Sequence, residues 1–163
     1  MEEFSIRAAR REDVGELLRL IRALAAYERM AHEVTAGERD LVASLFGERP
    51  AAEAVLGECG GRAVAFAVFF HNFSTFRGRA GLYLEDLFVE PECRGRGYGY
   101  ALLGHLAKIA VARGCVRMEW AVLDWNKPAW NFYARLGARP LADWTLHRLA
   151  DAALADLAAG SGG

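Results

Sequence analysis

The sequence has few cysteines: its 163 residues contain three, Cys59, Cys93 and Cys115, which lie far apart. An odd number of widely spaced cysteines forms neither a disulfide framework nor a zinc cluster, so we expect a reducing compartment, the cytoplasm. The four histidines also lack the spacing of metal ligands, and no metal site is predicted.

Neither positive nor negative side chains are in clear excess. The formal net charge is −1, from 20 basic and 21 acidic side chains, which argues against nucleic acid as a partner. No apolar run approaches the roughly 20 residues that span a bilayer, and the acidic N-terminus does not resemble a secretory signal, so no membrane partner is predicted. We expect one globular domain over residues 1–159 and a flexible Gly-Ser-Gly-Gly tail over residues 160–163.

Hydrophobic periodicity predicts a chain of mixed helices and strands. Alternating or continuous apolar residues predict strands at 4–7, 54–56, 63–70, 82–89, 118–122 and 145–149. Helical spacing and cap signals predict helices over 13–30, 35–46, 98–113 and 127–136, and a terminal helix capped by Asp151. Gly60-Gly61 predicts a tight hairpin turn. The order indicates an α/β (α+β) fold, a mixed and mostly antiparallel central sheet with helices on both faces and one parallel crossover.

A glycine-rich turn, Arg94-Gly95-Arg96-Gly97-Tyr98-Gly99, lies between a predicted strand and a predicted helix. Its glycines let backbone N–H groups come close to a ligand, and the start of the helix adds the positive end of the helix dipole. Together these features predict a site for a phosphate or pyrophosphate. A glycine-rich turn that holds no ligand is the alternative.

Two nucleotide motifs fit this turn poorly. The Walker loop requires a Lys-Ser or Lys-Thr pair, and the sequence contains neither. The dinucleotide fingerprint Gly-x-Gly-x-x-Gly has Tyr100 at its third glycine position. Glu119 has the spacing of a ribose-binding acid but lies inside a predicted strand, so we do not favour a dinucleotide.

A second segment, Asn126-Lys127-Pro128-Ala129 followed by Phe132-Tyr133, lies beyond the next predicted strand. With the glycine turn it resembles the signatures of the GCN5-related N-acetyltransferases (GNAT). The run Leu82-Tyr83-Leu84-Glu85-Asp86-Leu87-Phe88-Val89 and the pair Tyr27-Glu28 are similar to the spermidine/spermine (diamine) N-acetyltransferase branch, and the resemblance covers residues 4–149.

The resemblance implies acetyl-CoA as co-substrate and direct acetyl transfer to a primary amine of a small molecule, namely a polyamine, a diamine or a lysine-like amino acid. It also implies a homodimer. A protein or peptide acetyltransferase and a non-catalytic acyl-CoA sensor are the alternatives. The segment after the Tyr133 helix is shorter here than in the branch, and Asp143 is its only acidic residue. An acceptor smaller than a long polyamine is therefore also compatible with the sequence.

The same resemblance implies a bulge in the 82–89 strand that opens a slot for the pantetheine. Backbone groups of the strand and the turn then hold the coenzyme, whereas Arg94 and Arg96 are equally well explained as solvated side chains. The predicted coenzyme-binding residues are Leu87, Phe88, Val89, Arg94, Gly95, Arg96, Gly97, Tyr98, Gly99, Tyr100, Asn126, Lys127, Pro128 and Ala129.

Two residues are predicted to be catalytic. Tyr133, with a reference pKa of ~10, is protonated at neutral pH and suits a general acid for the departing thiolate, although a core tyrosine would look the same. Glu85 lies inside an apolar run and suits a base acting through water, unless it faces solvent or pairs with an arginine. The predicted substrate-binding residues are Tyr27, Glu28, Glu85, Asp86, Glu119, Trp120 and Ala121.

Overall fold

The computed structural model describes residues 3–160. The chain forms two compact units, Met1–Ala121 and Val122–Gly163, and each is described by itself. Of the predicted tail, residues 161–163 lie outside the described part of the chain.

The first unit is a five-stranded sheet with three helices. Its strands are β1 (Phe4–Ala8), β2 (Glu53–Cys59), β3 (Arg62–Ser74), β4 (Arg79–Val89) and β5 (Met118–Glu119), and its helices are α1 (Val14–Tyr27), α2 (Glu38–Phe46) and α3 (Tyr98–Ala112). The strand order is β1-β2-β3-β4-β5; the first three pairings are antiparallel, whereas β4 and β5 are parallel. The predicted mixed, mostly antiparallel sheet is confirmed.

The β2–β3 hairpin turns at Gly60 and Gly61, whose φ angles are 58° and 76°. Both angles lie in the left-handed region that glycine adopts without steric cost. The predicted hairpin is therefore confirmed at its predicted position.

The apolar residues of the sheet face two helical layers. On one face, leucines of α1 form a core cluster with Phe66 and Phe88. Because side chains alternate along a strand, Ala67 and Phe69 point to the other face, and both are buried. Helix α3 packs on β3 and β4 and buries its own leucines, with Leu106 fully covered. Each large side chain buried in this way contributes about 1.5–3 kcal/mol.

Helix α2 begins later than its sequence signal predicts. The predicted capping box ran from Thr35 to Glu38, but the helix starts at Glu38 with Gly37 as its N-cap. The Asp40 carboxylate accepts a hydrogen bond from the Gly37 N–H at 2.8 Å. Asp40 therefore supplies the acidic half of the cap, and the predicted start at Thr35 was wrong.

The second unit contains α4 (Lys127–Arg135) and α5 (Asp151–Ala158). Helix α4 begins as predicted, because Asn126 Oδ1 accepts a hydrogen bond from the Ala129 N–H at 3.4 Å. Gly137, with a φ of 85°, follows its end. The prediction that Asp151 caps α5 was wrong, since Ala150 is the N-cap and Asp151 is the first helical residue.

Two predicted strands differ from the structure. The strand predicted over 118–122 pairs only at Met118–Glu119, and 145–149 forms no strand in the described part of the chain. Leu146 in that segment and Trp144 directly before it are exposed. Alternation of apolar residues indicates a face to be buried, but a strand also needs a neighbouring backbone with which to pair.

Candidate active site

The glycine turn forms an open cradle at the start of α3. Gly95 and Gly97 have φ angles of 74° and 82°, and a Cβ added to either would meet no atom of the described residues within 4 Å. Gly97 is the N-cap of α3; no side chain caps it and the first turn carries no acidic residue. Backbone N–H groups at an uncapped helix start suit an anion, so the turn fits the predicted pyrophosphate.

The side chain of Tyr98 anchors this cradle to the sheet. Its ring is stacked on Phe4 of β1, with centroids 3.9 Å apart and an interplanar angle of 5°. Its hydroxyl lies 3.5 Å from Cys59 Sγ at the end of β2. Tyr98 therefore holds the first turn of α3 against the sheet through its side chain.

The two arginines of the turn have different surroundings. Arg96 is exposed, and its Nη2 reaches the Glu92 carbonyl oxygen at 3.5 Å. Arg94 donates from Nε to the Val89 carbonyl oxygen at 2.9 Å, and its guanidinium lies 4.4 Å from the ring centroid of Tyr27. Arg94 is exposed as well, so its side chain meets solvent in addition to these two partners, and its part in binding the coenzyme stays a prediction.

Strand β4 contains the bulge that the resemblance implied. Val68 of β3 pairs with Asp86 and Phe69 pairs with Leu84, so Glu85 is the extra residue. The parallel ladder with β5 consists of two pairs and ends at Tyr83, two residues before Glu85. In the described part of the first unit, the β4–β5 ladder does not continue past Tyr83.

Three carboxylates meet beside this bulge. Asp86 is half-buried, and burial raises its pKa to about 6, with the nearby charges of Glu85 and Glu28 adding to the effect. Burial also raises the pKa of Glu28, the residue directly after α1. Burial and the charges of Glu85 and Glu119 raise the pKa of Tyr83 as well. Such a cluster favours a cation, because a positive group relieves the cost of ionising these acids.

The predicted substrate residue Glu119 already has partners inside the protein. Its carboxylate lies 2.6 Å from Arg117 Nε and accepts a hydrogen bond from Asn72 Nδ2 at 3.2 Å. Sequence reasoning missed Arg117, although its position two residues before Glu119 was a usable signal. Trp120 is half-buried and Ala121 is exposed at the end of the unit.

The remaining predicted site residues lie in the second unit. Lys127, Pro128 and Ala129 form the first turn of α4, and Lys127 Nζ lies 5.3 Å from the ring centroid of Trp130. Tyr133 is half-buried, and its ring centroid lies 5.2 Å from that of Phe132. The role of Tyr133 as general acid stays a prediction.

Two general features bear on the kind of site. Within residues 3–160, none of the helices has the length and apolarity needed to cross a membrane. The same residues include no group of three or more His, Cys, Asp or Glu side chains that could hold a metal ion.

Comparison with known proteins agrees with this geometry. Residues 14–138 match the model of the acetyltransferase (GNAT) family. The chain is 38% identical to the thialysine N-epsilon-acetyltransferase of Bos taurus, over 94% of this chain and 96% of that protein. It is 33% identical to the human spermidine/spermine N(1)-acetyltransferase-like protein 1, over 97% of this chain and 24% of that protein.

Among solved structures, an integron cassette protein from V. cholerae superposes with a TM-score of 0.80 at 26% identity, covering 95% of this chain and 97% of that one. The predicted fold class is thereby confirmed, and the resemblance to the GNAT family is confirmed as well. The chain belongs to the acetyltransferase (GNAT) family, in its diamine acetyltransferase branch, and is an N-acetyltransferase.

Proposed function

We propose that the protein transfers the acetyl group of acetyl-CoA directly to a primary amine of a small molecule, namely a polyamine, a diamine or a lysine-like amino acid. The observation that carries this proposal is the cluster of half-buried Glu28 and Asp86 with exposed Glu85 beside the bulge of β4. A short 3-10 helix, Pro91–Cys93, connects β4 to the glycine turn, so the acceptor and coenzyme sites would lie close together along the chain.

The residues present fit acetyl-CoA, which supplies an activated thioester when bound. Backbone N–H groups from Gly95 to Tyr100 would hold its pyrophosphate at the start of α3. The backbone of Leu87, Phe88 and Val89, beyond the bulge, would bind the pantetheine, and one N–H would polarise the thioester carbonyl. The first turn of α4, from Asn126 to Ala129, is assigned to the coenzyme by resemblance alone.

The acidic cluster would bind the acceptor through charge. A diamine carries one reacting amine and a second, cationic amine, and the second amine would pair with the carboxylates of Glu28 and Asp86. Removing water from this half-buried spot strengthens that attraction. The relative that acts on thialysine, at 38% identity over most of both chains, supports a diamino acid as acceptor.

The reaction requires a proton acceptor and a proton donor, and Glu85 and Tyr133 would fill these two roles. An alkylammonium group has a pKa of ~10.4, so it must lose a proton before it attacks the thioester. Glu85 would take that proton, directly or through a water, because its position in the bulge turns it away from the regular pairing of β4. Tyr133 would donate its hydroxyl proton to the sulfur of the leaving coenzyme A as the new amide bond forms and the thioester bond breaks.

Thiol release from acetyl-CoA across an amine panel tests the proposal. The panel contains lysine, thialysine, ornithine, putrescine, spermidine and a peptide with one free amine, together with an aliphatic monoamine as the matched control. We expect the highest kcat/KM for a diamine or diamino acid and at least tenfold less for the monoamine. Turnover of the peptide alone would indicate a protein acetyltransferase, and coenzyme binding without thiol release would indicate a sensor.

A homodimer and a cytoplasmic location belong to the same proposal. Light scattering with size-exclusion chromatography measures the mass in solution, for which we expect twice the 17.9 kDa of one chain. Cell fractionation checks the location.

A further inference from the structure

Arg94 links three parts of the first unit. It follows β4 and precedes the glycines of the turn, and its Nε donates to the Val89 carbonyl oxygen at 2.9 Å. Its guanidinium lies 4.4 Å from the ring centroid of Tyr27 and 5.5 Å from that of Phe88. One side chain therefore joins the phosphate-binding turn, the end of β4 and the last residue of α1.

The contact with Tyr27 bears on the acceptor side of the site. Tyr27 ends α1, and Glu28 follows it as the C-cap. Beyond the cap, the N–H groups of Arg29 and Met30 donate to the Ala26 and Ala25 carbonyl oxygens, which closes the helix in a Schellman motif. The motif fixes the backbone of Glu28 directly after Tyr27, so the Tyr27 ring and the Glu28 carboxylate leave adjacent positions at the end of α1, and the charge of Glu28 reaches Asp86.

The position of Asp86 supports this connection. Asp86 and Phe88 lie two residues apart on β4, where they pair with Val68 and Phe66, and so share one face of the sheet. Arg94 contacts the ring of Phe88, whereas Asp86 is close enough to Glu28 for that charge to raise its pKa. Arg94 therefore contacts Tyr27 at the end of α1, and Asp86 lies near Glu28, the next residue.

We propose that Arg94 is a positioning residue for the amine acceptor, which holds Tyr27 and with it Glu28 against β4, and that its side chain is not a pyrophosphate ligand. This inference rests on the proposed function for the identity of the acceptor, whereas the contact between Arg94 and Tyr27 is independent of it. A guanidinium suits the task because its plane stacks on an aromatic ring while Nε donates in that plane.

Substitution by lysine separates the charge of Arg94 from its shape. Arg94→Lys keeps a cation beside the turn. If the charge of Arg94 bound the pyrophosphate, lysine would replace it with little loss of affinity for acetyl-CoA. The same substitution removes the Nε–H and the flat stacking surface, so a positioning role would be lost. Arg49→Lys, at an exposed arginine between α2 and β2, is the control for the general effect of replacing an arginine by lysine.

Steady-state kinetics and calorimetry give the first test. We expect Arg94→Lys to raise the KM for the amine about tenfold, while the Kd of acetyl-CoA in the absence of amine stays within about twofold. Arg49→Lys should leave the KM for the amine unchanged. A weaker Kd for acetyl-CoA with an unchanged KM for the amine would overturn the proposal, because it would make Arg94 a coenzyme ligand.

A double-mutant cycle gives a second test that needs no activity. Tyr27→Leu should lower the urea midpoint in the wild-type background and have a clearly smaller effect in the Arg94→Lys background. Additive effects would overturn the inference even if the enzyme acetylates diamines. If no amine is acetylated but the two substitutions are coupled, the proposed function fails while the Arg94–Tyr27 contact stands and the acceptor role is withdrawn.

Discussion

The ring of Phe4 covers the backbone of Gly57: a Cβ built on this glycine would lie 2.6 Å from Phe4 Cζ. Phe4 belongs to β1, and Gly57 lies opposite Ile6 in the neighbouring β2. The same phenyl ring stacks on Tyr98, the first residue of α3. The absence of a side chain at position 57 thus lets the edge of the sheet hold helix α3, which begins at the glycine turn.

A side chain at position 57 should destabilise the fold. Gly57→Ala forces the Phe4 ring to move, and we expect the free energy of unfolding to fall by about 1–3 kcal/mol in urea titrations. Gly104→Ala is the matched control, because a Cβ at Gly104 in α3 meets no atom of the described residues within 4 Å. That control should stabilise the helix by about 0.5–1 kcal/mol, and equal effects of the two substitutions would contradict the argument.

Removing the charge of Glu90 should also lower stability. Glu90 directly follows β4, is 5% exposed, and its carboxylate contacts the guanidinium groups of Arg19 and Arg62. Because both arginines stay partly in water, we expect Glu90→Gln to cost about 1–3 kcal/mol of unfolding free energy. Glu92→Gln is the control: this carboxylate is 63% exposed and 3.8 Å from Arg62, so its loss should change stability by less than about 0.5 kcal/mol.

The raised pKa of Asp86 predicts a pH-dependent effect of Asp86→Asn. The pKa of about 6 in the folded chain lies above the ordinary 3.8, so between these values the folded state keeps a proton that the unfolded chain has lost. The stability from this group is lost as the pH rises through that window, and above pH 6 its ionised form carries a cost. Asp86→Asn should therefore stabilise the protein at pH 8 by roughly 1–3 kcal/mol relative to its effect near pH 4.

Urea unfolding of both proteins at a series of pH values measures this difference. Asp143→Asn, which changes an exposed carboxylate of the second unit, is the control and should alter stability little at either end of the series. If Asp86→Asn changes the free energy of unfolding by the same amount at pH 4 and at pH 8, the ionised form of Asp86 does not destabilise the folded protein.

Loss of the Tyr133 hydroxyl should affect turnover far more than coenzyme binding. Tyr133→Phe keeps the ring that packs beside Phe132 and removes only the proton donor. If Tyr133 is the general acid, kcat should fall by at least about 100-fold, whereas the Kd of acetyl-CoA should stay within about twofold. Calorimetry and thiol-release kinetics measure the two quantities, and unchanged turnover would exclude Tyr133 as the acid.

Local signals account for the parts of the fold that the sequence predicted. The hairpin at Gly60-Gly61 and the α4 cap at Asn126 depend on residues only a few positions apart. The start of α2 was missed because two overlapping cap signals compete, and the contact between Asp40 and Gly37 prevails over Thr35. The segment 145–149 has the alternation of a strand but no strand partner in the described chain, and no property of five neighbouring residues supplies that partner.

The family, the glycine turn and the two adjacent acids of β4 could all be recognised from the sequence, because each is a pattern of residues that are close along the chain. Only the tertiary structure decided that Glu85 is the bulged residue, that Asp86 has the raised pKa, and that Arg94 lies on Tyr27. The physical reason is that burial, strand register and stacking depend on which distant segments pack together, and spacing along the chain does not fix that choice.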